Sequence, residues 1–461
     1  MLQDVISSAR ADFPAGASSE LRGQLSRSRQ VVLLGGNVVA NQRADISGVS
    51  ARVNRGGSYG FSSMAELSPE AARMVMRAAA DNAAFMAGHA PRGQAPMAPI
   101  GRRTLPLAAD ISDVAQSYYI DFARAVDSYV AAHCPELVSR TVVAMEDSME
   151  KMIFTSDATD AHFIAPRSYI YVTMTALTPE GAPVELFDVF GGEGTFGVNF
   201  TDAASLSAGI DRLYERLMQK RAGVYADAGL KTVILGGHMT GMLSHEAVGH
   251  TVEADLVLGG SVAGPNLGKR VASELVTMTD FAHTAFGARC PLPVFTDDEG
   301  TPAEDAPLIE NGILTGYMNS RETAARFGMK PCGNARAWSF SDEPLIRMRN
   351  TAVHPGRDKL EDMIASVDDG YYLITTTNGQ ADTTGEFMFG VSLGYEIKHG
   401  KLGRALLDTT ISGVAFDMLK TVDMVSDTVE WESSGFCGKK QPMPVGMGGP
   451  ALRCKVMIGG R

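Results

Sequence analysis

The sequence predicts an α+β fold, with an N-terminal α/β part followed by a C-terminal β-rich part that carries a large curved antiparallel sheet or incomplete barrel. Three observations predict it. The chain has 461 residues, 45% of them hydrophobic, which suffices for a sizeable core and more than one domain. Its 49 glycines point to many turns and much β structure. The character of the chain also changes near residue 230. Before it, apolar helical stripes alternate with short strands; after it, turn signals and short strands dominate. We divide the chain into 1–106 (N-terminal α/β domain and linker), 107–229 (central α/β region) and 230–461 (C-terminal β-rich domain).

Residues 1 to about 28 read as polar and weakly structured. Val31–Leu34, Gly48–Asn54 and Tyr59–Ser63 read as short strands. Ser68-Pro69-Glu70 is a helix start, with Ser as N-cap and Pro at the first helical position, and the helix runs to about Ala87. The Pro- and Gly-rich stretch 89–106 reads as a linker, and a second helix spans about 111–132. Strands are expected at 137–145, 152–156, 169–177 and 184–190, then a helix over 204–226 with Ile210, Leu213, Leu217 and Val224 on its apolar side. Beyond 230, strands are expected at 275–279, 293–296, 312–317, 387–397 and 401–407. Helices are expected at 320–327, 359–366 and 412–422.

Composition excludes several classes. The net charge is −12 and no Lys/Arg cluster stands out, so nucleic acid and anionic membrane are poor partners. No run of roughly 18 apolar residues exists to span a bilayer. The first ten residues lack a basic flank followed by an apolar core, so no signal peptide is expected. Five scattered cysteines (Cys134, Cys290, Cys332, Cys437, Cys454) suit a reducing cytoplasm better than a disulfide framework.

The candidate site lies in Gly241-Met-Leu-Ser-His245-Glu246-Ala-Val-Gly249-His250, which follows the strand-like run Thr232–Leu235 through Gly236-Gly237. Met242, Leu243, Ala247 and Val248 give this segment a helical apolar stripe, so two imidazoles and a carboxylate share one short buried helix. Zinc peptidases commonly place His at i and i+4, on one helix face. Here the second His is at i+5, which a regular helix would rotate roughly 140° from the first. Both reach one metal only if the helix carries a π-bulge or its last turn opens. Gly249, without a Cβ, eases either distortion. Chance alone gives such a pattern on the order of once per hundred chains like this one, so a third ligand is required. Cys437, flanked by Gly438, is one candidate, and Cys454, Cys332 and Cys290 are others; the bland reading of each is a buried free thiol. His238, His283 and His354 read as structural or exposed.

With these residues in view, the chain resembles the TldD/PmbA family, its zinc-bearing TldD branch in particular. The resemblance covers roughly residues 29–461. His245-Glu-Ala-Val-Gly-His250 resembles the family's H-E-x-x-x-H, with Glu253 and Asp255 at its trailing acidic positions. Asp297-Asp-Glu-Gly-Thr-Pro302, Glu310–Tyr317, Pro344–Asn350, Gly379-Gln-Ala-Asp382 and Gly385-Glu-Phe387 are similar to further family elements, as is Gly435-Phe-Cys-Gly-Lys439 followed by Pro444–Gly448. The segments 89–106 and 280–292 match only loosely. The resemblance implies that His245, His250 and Cys437 bind Zn²⁺ and that Glu246 does the acid/base work. It implies peptidase activity on unfolded or short peptides, in peptide maturation or degradation. It also implies a homodimer, or a heterodimer with a related metal-free subunit.

Three protein ligands would leave zinc an open position, and Glu246 would be placed to move protons. A β-rich setting suggests that peptide binds extended, along a sheet edge. Glu253 or Asp255 could hold a ligand imidazole. The rival reading is a non-catalytic peptide-binding module with a structural, closed zinc site, which a fourth ligand such as Cys454 would favour.

Overall fold

The computed structural model describes residues 2–89, 97, 103–105, 114–157 and 159–459. The linker expected over 89–106 and the expected helix start at 111 fall largely outside these residues. Two sheets organise the chain. The first has seven strands. Ser58–Met64, Asn37–Arg55, Ser18–Leu34, Ser139–Thr155 and Thr159–Leu177 lie side by side in that order. Pro183–Glu193 and Arg103–Leu105 both pair with Thr159–Leu177, the latter in parallel.

The polar start of the chain is not loose. Ser18–Leu34 is a 17-residue strand pairing on both sides. Its polar residues are buried because their partners come from far along the chain. Arg22 Nη1 donates to Asp298 Oδ1 at 2.9 Å, and Glu20 accepts two bonds from Arg52 at 2.9 Å each. Sequence pattern could not show this. The expected strands 137–145 and 152–156 are likewise one strand, Ser139–Thr155, and the strand expected at 169–177 is the second half of Thr159–Leu177.

Helices cover this sheet. Pro69–His89 buries Ala72, Val75, Met76 and Ala79 against Leu21, Val49, Ala51 and Phe154. Gln116–His133 and Ser207–Arg221 bury Tyr119, Val126, Ile210, Leu213 and Leu217 over Val31, Val142, Ile170 and Val172. None of the described helices is long and apolar enough to cross a membrane.

The second sheet has eleven strands, and five of them close on themselves. Gly229–Leu235 pairs in parallel with Asp369–Ala381. That strand pairs with Glu386–Lys398, which pairs with Thr409–Val414, which pairs with Gly446–Ile458. Gly446–Ile458 then pairs back with Gly229–Leu235, Leu452 opposite Leu235 and Cys454 opposite Val233. The expected curved sheet is therefore a closed barrel at its centre, mostly antiparallel with one parallel seam. The segment 412–422 was expected as one helix. Its first residues are instead strand, and only Ala415–Leu419 is helical. The strand expected at 293–296 is a loop with a single bridge, Thr296 to Pro302.

The two sheets meet through Asp297-Asp-Glu-Gly. Asp298 Oδ1 and Oδ2 accept from Lys151 Nζ at 2.8 and 3.0 Å, besides the bond from Arg22. Glu299 Oε1 accepts from Arg52 at 2.6 Å. Gly300 packs with φ +76 against Thr155 and Thr159, where a Cβ would lie 2.6 Å from Thr155 Cγ2. Burial pushes the Asp298 carboxyl up, but Lys151 and Arg22 outweigh it and hold it down at about 2. Asp298→Asn leaves two buried cations short of their counter-charge. It should lower unfolding stability by about 3–5 kcal/mol in denaturant titrations, while Asp298→Leu with Lys151→Met should lose less.

Candidate metal centre

The strand Gly229–Leu235 ends inside the barrel, and the chain turns through Gly236 into the helix Gly237–Met242. That helix lies so close to the strand Gly446–Ile458 that side chains do not fit between. A Cβ on Gly237 would sit 2.7 Å from Gly449 O, one on Gly241 3.0 Å from Gly448 N, and one on Gly449 2.4 Å from Thr240 Cγ2. Glycines on both partners permit this approach. Met239, Leu243, Ala247, Val248 and Val252 fill the barrel core with Leu235, Leu373, Phe389 and Leu452.

Leu243–Gly249 is π-helix, followed by a 3₁₀ turn at His250–Val252. The His250 amide donates to the His245 carbonyl, an i→i−5 bond that joins the two histidines. The wider turn answers the i+5 spacing and brings the imidazoles together. Their ring centroids are 5.1 Å apart at 78°. Gly249 is required here for a second reason. A Cβ would lie 2.1 Å from Met348 Sδ and 2.9 Å from Ser244 O.

Cys437 arrives from the other end of the barrel domain, on the short strand Phe436–Cys437 that pairs with Met443–Pro444. One ligand atom each from His245, His250 and Cys437 lie within 4.8 Å of one another. Cys437 Sγ is 3.4 Å from His250 Nε2. Glu246 sits between the imidazoles, 3.8 Å from the Nε2 of each, and is 24% exposed, so the group is open to solvent on the Glu246 side. Both ring nitrogens of His245 are buried and have no hydrogen-bond partner. An imidazole buried with neither nitrogen bonded is costly. Bonding to a metal ion would satisfy it, and two imidazoles with a thiolate form a donor set suited to zinc.

Electrostatics favour the thiolate and place a proton on the imidazole beside it. Burial pushes the Cys437 thiol up, but His245 and His250 outweigh it and bring it down to about 3, so the sulfur is a thiolate, the ligating form. Burial lowers His250, yet Cys437 and Glu253 raise it to about 10, so without an ion the ring holds a proton that a bound cation would displace.

The residues around the three are held in turn. Glu253, fully buried, places Oε2 2.7 Å from His250 Nδ1 and so orients that ring. Asp255 does not touch an imidazole; its Oδ1 accepts from Lys439 Nζ at 2.9 Å. Lys439 also lies 3.3 Å from Glu253 Oε2. Arg347, completely buried, fixes the Cys437 loop. Its Nη2 donates to Cys437 O at 2.6 Å, and Nη1 to Lys439 O and Gln441 O at 2.8 and 2.9 Å. The sequence showed Arg347 within a motif but gave it no task, because three carbonyl acceptors some 90 residues away leave no pattern. Cys290, Cys332 and Cys454 stand outside the group. Cys454 lies in the barrel wall, and Cys332 Sγ faces Lys330 O at 3.6 Å.

Comparison with known proteins now bears on this geometry. The PmbA/TldA metallopeptidase C-terminal domain matches residues 228–460, and the PmbA/TldA metallopeptidase domain 1 matches 19–86. The chain belongs to the TldD/PmbA metallopeptidase family. It is 30% identical over 360 residues to the zinc metalloprotease TldD homolog of Saccharolobus solfataricus, covering 77% of this chain and 79% of that protein. A metalloprotease of Methanothermobacter thermautotrophicus is 29% identical over 447 residues, covering 96% of this chain and 95% of that protein. TldE from Thermococcus kodakarensis shares the fold at TM-score 0.78 and 16% identity, with both chains fully covered.

The contact at Gly249 yields a direct expectation. Gly249→Ala should shift Met348 or the π-turn, cost about 1–3 kcal/mol of stability and lower the melting temperature. A melting curve unchanged from wild type would show that the helix and Met348 are not packed as described.

Proposed function

We propose that this chain is a zinc-dependent metallopeptidase that hydrolyses unfolded or short peptides, in peptide maturation or degradation. The observation that carries the reading is the His245, His250 and Cys437 group, with both His245 nitrogens unpartnered and the Glu246 carboxylate 3.8 Å from each imidazole. His245, His250 and Cys437 would hold the ion. When bound, zinc supplies a Lewis acid that polarises the scissile carbonyl and acidifies water. Glu246 takes a proton from the attacking water and returns it to the leaving amine. Glu253 keeps the His250 ring fixed, and Arg347 keeps Cys437 in place while Glu246 works. The names of the relatives support the metalloprotease class.

The second reading is a non-catalytic peptide-binding module whose zinc is structural. It needs a closed ligand set. Cys454, its best candidate for a fourth ligand, lies in the barrel wall opposite Val233, outside the three-residue group. A partly exposed Glu246 beside the ligands also favours the catalytic reading.

Purified protein should carry about one zinc per chain. Glu246→Gln keeps size and loses the base, so zinc content and peptide affinity should survive while turnover falls roughly 10²–10⁴-fold. His245→Ala should lose metal and activity together. Peptide cleavage by Glu246→Gln at the wild-type rate would overturn the mechanism and leave the structural-zinc reading.

An extended peptide binds mainly through its own backbone. A natively folded domain should therefore resist cleavage that its unfolded form undergoes. Equal rates on the two forms, measured by gel densitometry, would refute that.

A further inference from the structure

A second feature lies one residue away from Cys437. A cavity of about 370 Å³ opens between the hairpin of Ser139–Thr155 with Thr159–Leu177 and the loops around 289–298, 336–338 and 443–444. Met443, which pairs with Cys437 across the short ladder, is in its wall. Paired residues in such a ladder have Cα atoms about 5 Å apart. The cavity therefore begins beside the loop that carries the thiolate. Its volume is at the low end of the roughly 300–1,000 Å³ typical of small-ligand sites, suited to one or two amino-acid residues.

The walls are apolar apart from one set of charges. Phe163, Pro293, Phe295, Trp338 and Pro444 supply the apolar surface. Of the charged lining residues, nearly all are paired to one another. Lys151 holds Asp298 at 2.8 Å, Arg167 Nε holds Asp147 at 2.8 Å, and Arg289 holds Glu193 at 2.6 Å. Arg336 is the exception. It forms no ion pair among the described residues, and its one acceptor there is Met348 O, 2.6 Å from Nη1. Burial, with the nearby cations Arg347 and Arg349, outweighs the pull of the more distant Asp280 and Asp298 and brings its guanidinium down to about 10. A cation kept so deep with no carboxylate in direct contact is costly. It nonetheless keeps some accessible surface, and it lines this cavity. Arg167, 3% exposed and stacked 4.2 Å over the Phe436 ring, adds an Nη1 with no hydrogen-bond acceptor. The cavity thus offers one net positive charge, spare guanidinium donors and an apolar wall.

We propose that this cavity is a subsite for the free C-terminal carboxylate of a peptide ending in an apolar or aromatic residue, anchored by Arg336. The inference rests on the peptidase reading and narrows it: the chain takes peptides by their C-terminal end. Guanidinium groups recognise carboxylates by charge-assisted, often bidentate hydrogen bonds, and Phe163, Phe295 and Trp338 cover the last side chain. A carboxylate there replaces the counter-charge that Arg336 lacks. The peptide backbone then runs from the cavity along the Phe436–Cys437 strand toward Glu246.

The test compares a short N-acetylated peptide ending in Phe as the free acid, as the C-terminal amide, and as the amide with Glu in place of Phe. Binding is measured by calorimetry on wild-type protein and on Arg336→Gln and Arg336→Lys. On wild type the free acid should bind on the order of tenfold or more tighter than the amide. Arg336→Gln should erase that preference while still binding the amide, and Arg336→Lys should restore part of it. Equal binding of acid and amide to wild type overturns the subsite, even if Arg336→Gln fails to fold. Tighter binding of the Glu-containing amide than of the free acid would also overturn it, by assigning the charge to an acidic side chain. The two readings fail separately. An acid preference without any cleavage keeps the subsite and removes the peptidase reading; cleavage indifferent to the terminus does the reverse.

Discussion

The bond from the His250 amide to the His245 carbonyl is the constraint on which the site depends. A regular helix would send the two imidazoles to different faces. One extra residue in the turn returns them to one face, with Glu246 between them. A π-turn is rarely stable by itself, so its surroundings must hold it. Met348 presses on Gly249, where no Cβ could fit, and the preceding helix is seated on the Met447–Gly449 backbone by glycines on both sides. The barrel grips the helix, and the helix aims the histidines.

Cys437 is brought to the histidines by a different device. It lies beside a loop with little regular structure, a poor platform for a side chain that needs precise placement. Arg347 compensates. Buried and rigid, it gathers three carbonyls of that loop, including that of Cys437 itself. Lys439 ties the same loop to Asp255 and Glu253, and Glu253 holds His250. One connected set of charge-assisted bonds therefore couples the cysteine to the helix. Farther out, Asp298 and Glu299 bind Arg22, Arg52 and Lys151 of the other sheet. The motifs that read as candidate chemistry divide accordingly. The His/Glu/His and Cys segments form the site, while Asp297–Gly300, Arg347 and Gly446–Gly449 position it.

Much of the helical half was legible because its signals are local. Ser68-Pro69 starts a helix that begins at Pro69, and Ile210, Leu213 and Leu217 face the core as their spacing requires. Strand errors share one cause. Ser18–Leu34 and Gly446–Ile458 were not read as long strands, the first for its polar residues and the second for its glycines and Pro450. Both are interior strands of their sheets. Ion pairs from residues nearly 300 positions away neutralise the first; in the second, the close approach of the helix at 237–242 requires Gly449, while Gly446 and Gly448 make room for Asn350 and Trp431.

The sequence by itself determined the α+β class, the change of character near residue 230, the His245-Glu246-His250 element and the need for a distorted turn between its histidines. These follow from composition, periodicity and the fixed geometry of the helix, all properties of neighbouring residues. The family resemblance implied Cys437, and the fold brings that thiol to the histidines; only the tertiary structure decided that Glu253 rather than Asp255 holds His250 and that the curved sheet closes into a barrel. It alone decided that Arg336 lines a largely apolar cavity with no ion pair of its own among the described residues. Each of these depends on groups separated by tens to hundreds of residues. Their distance is fixed by packing and strand register, and neither leaves a periodic trace in the chain.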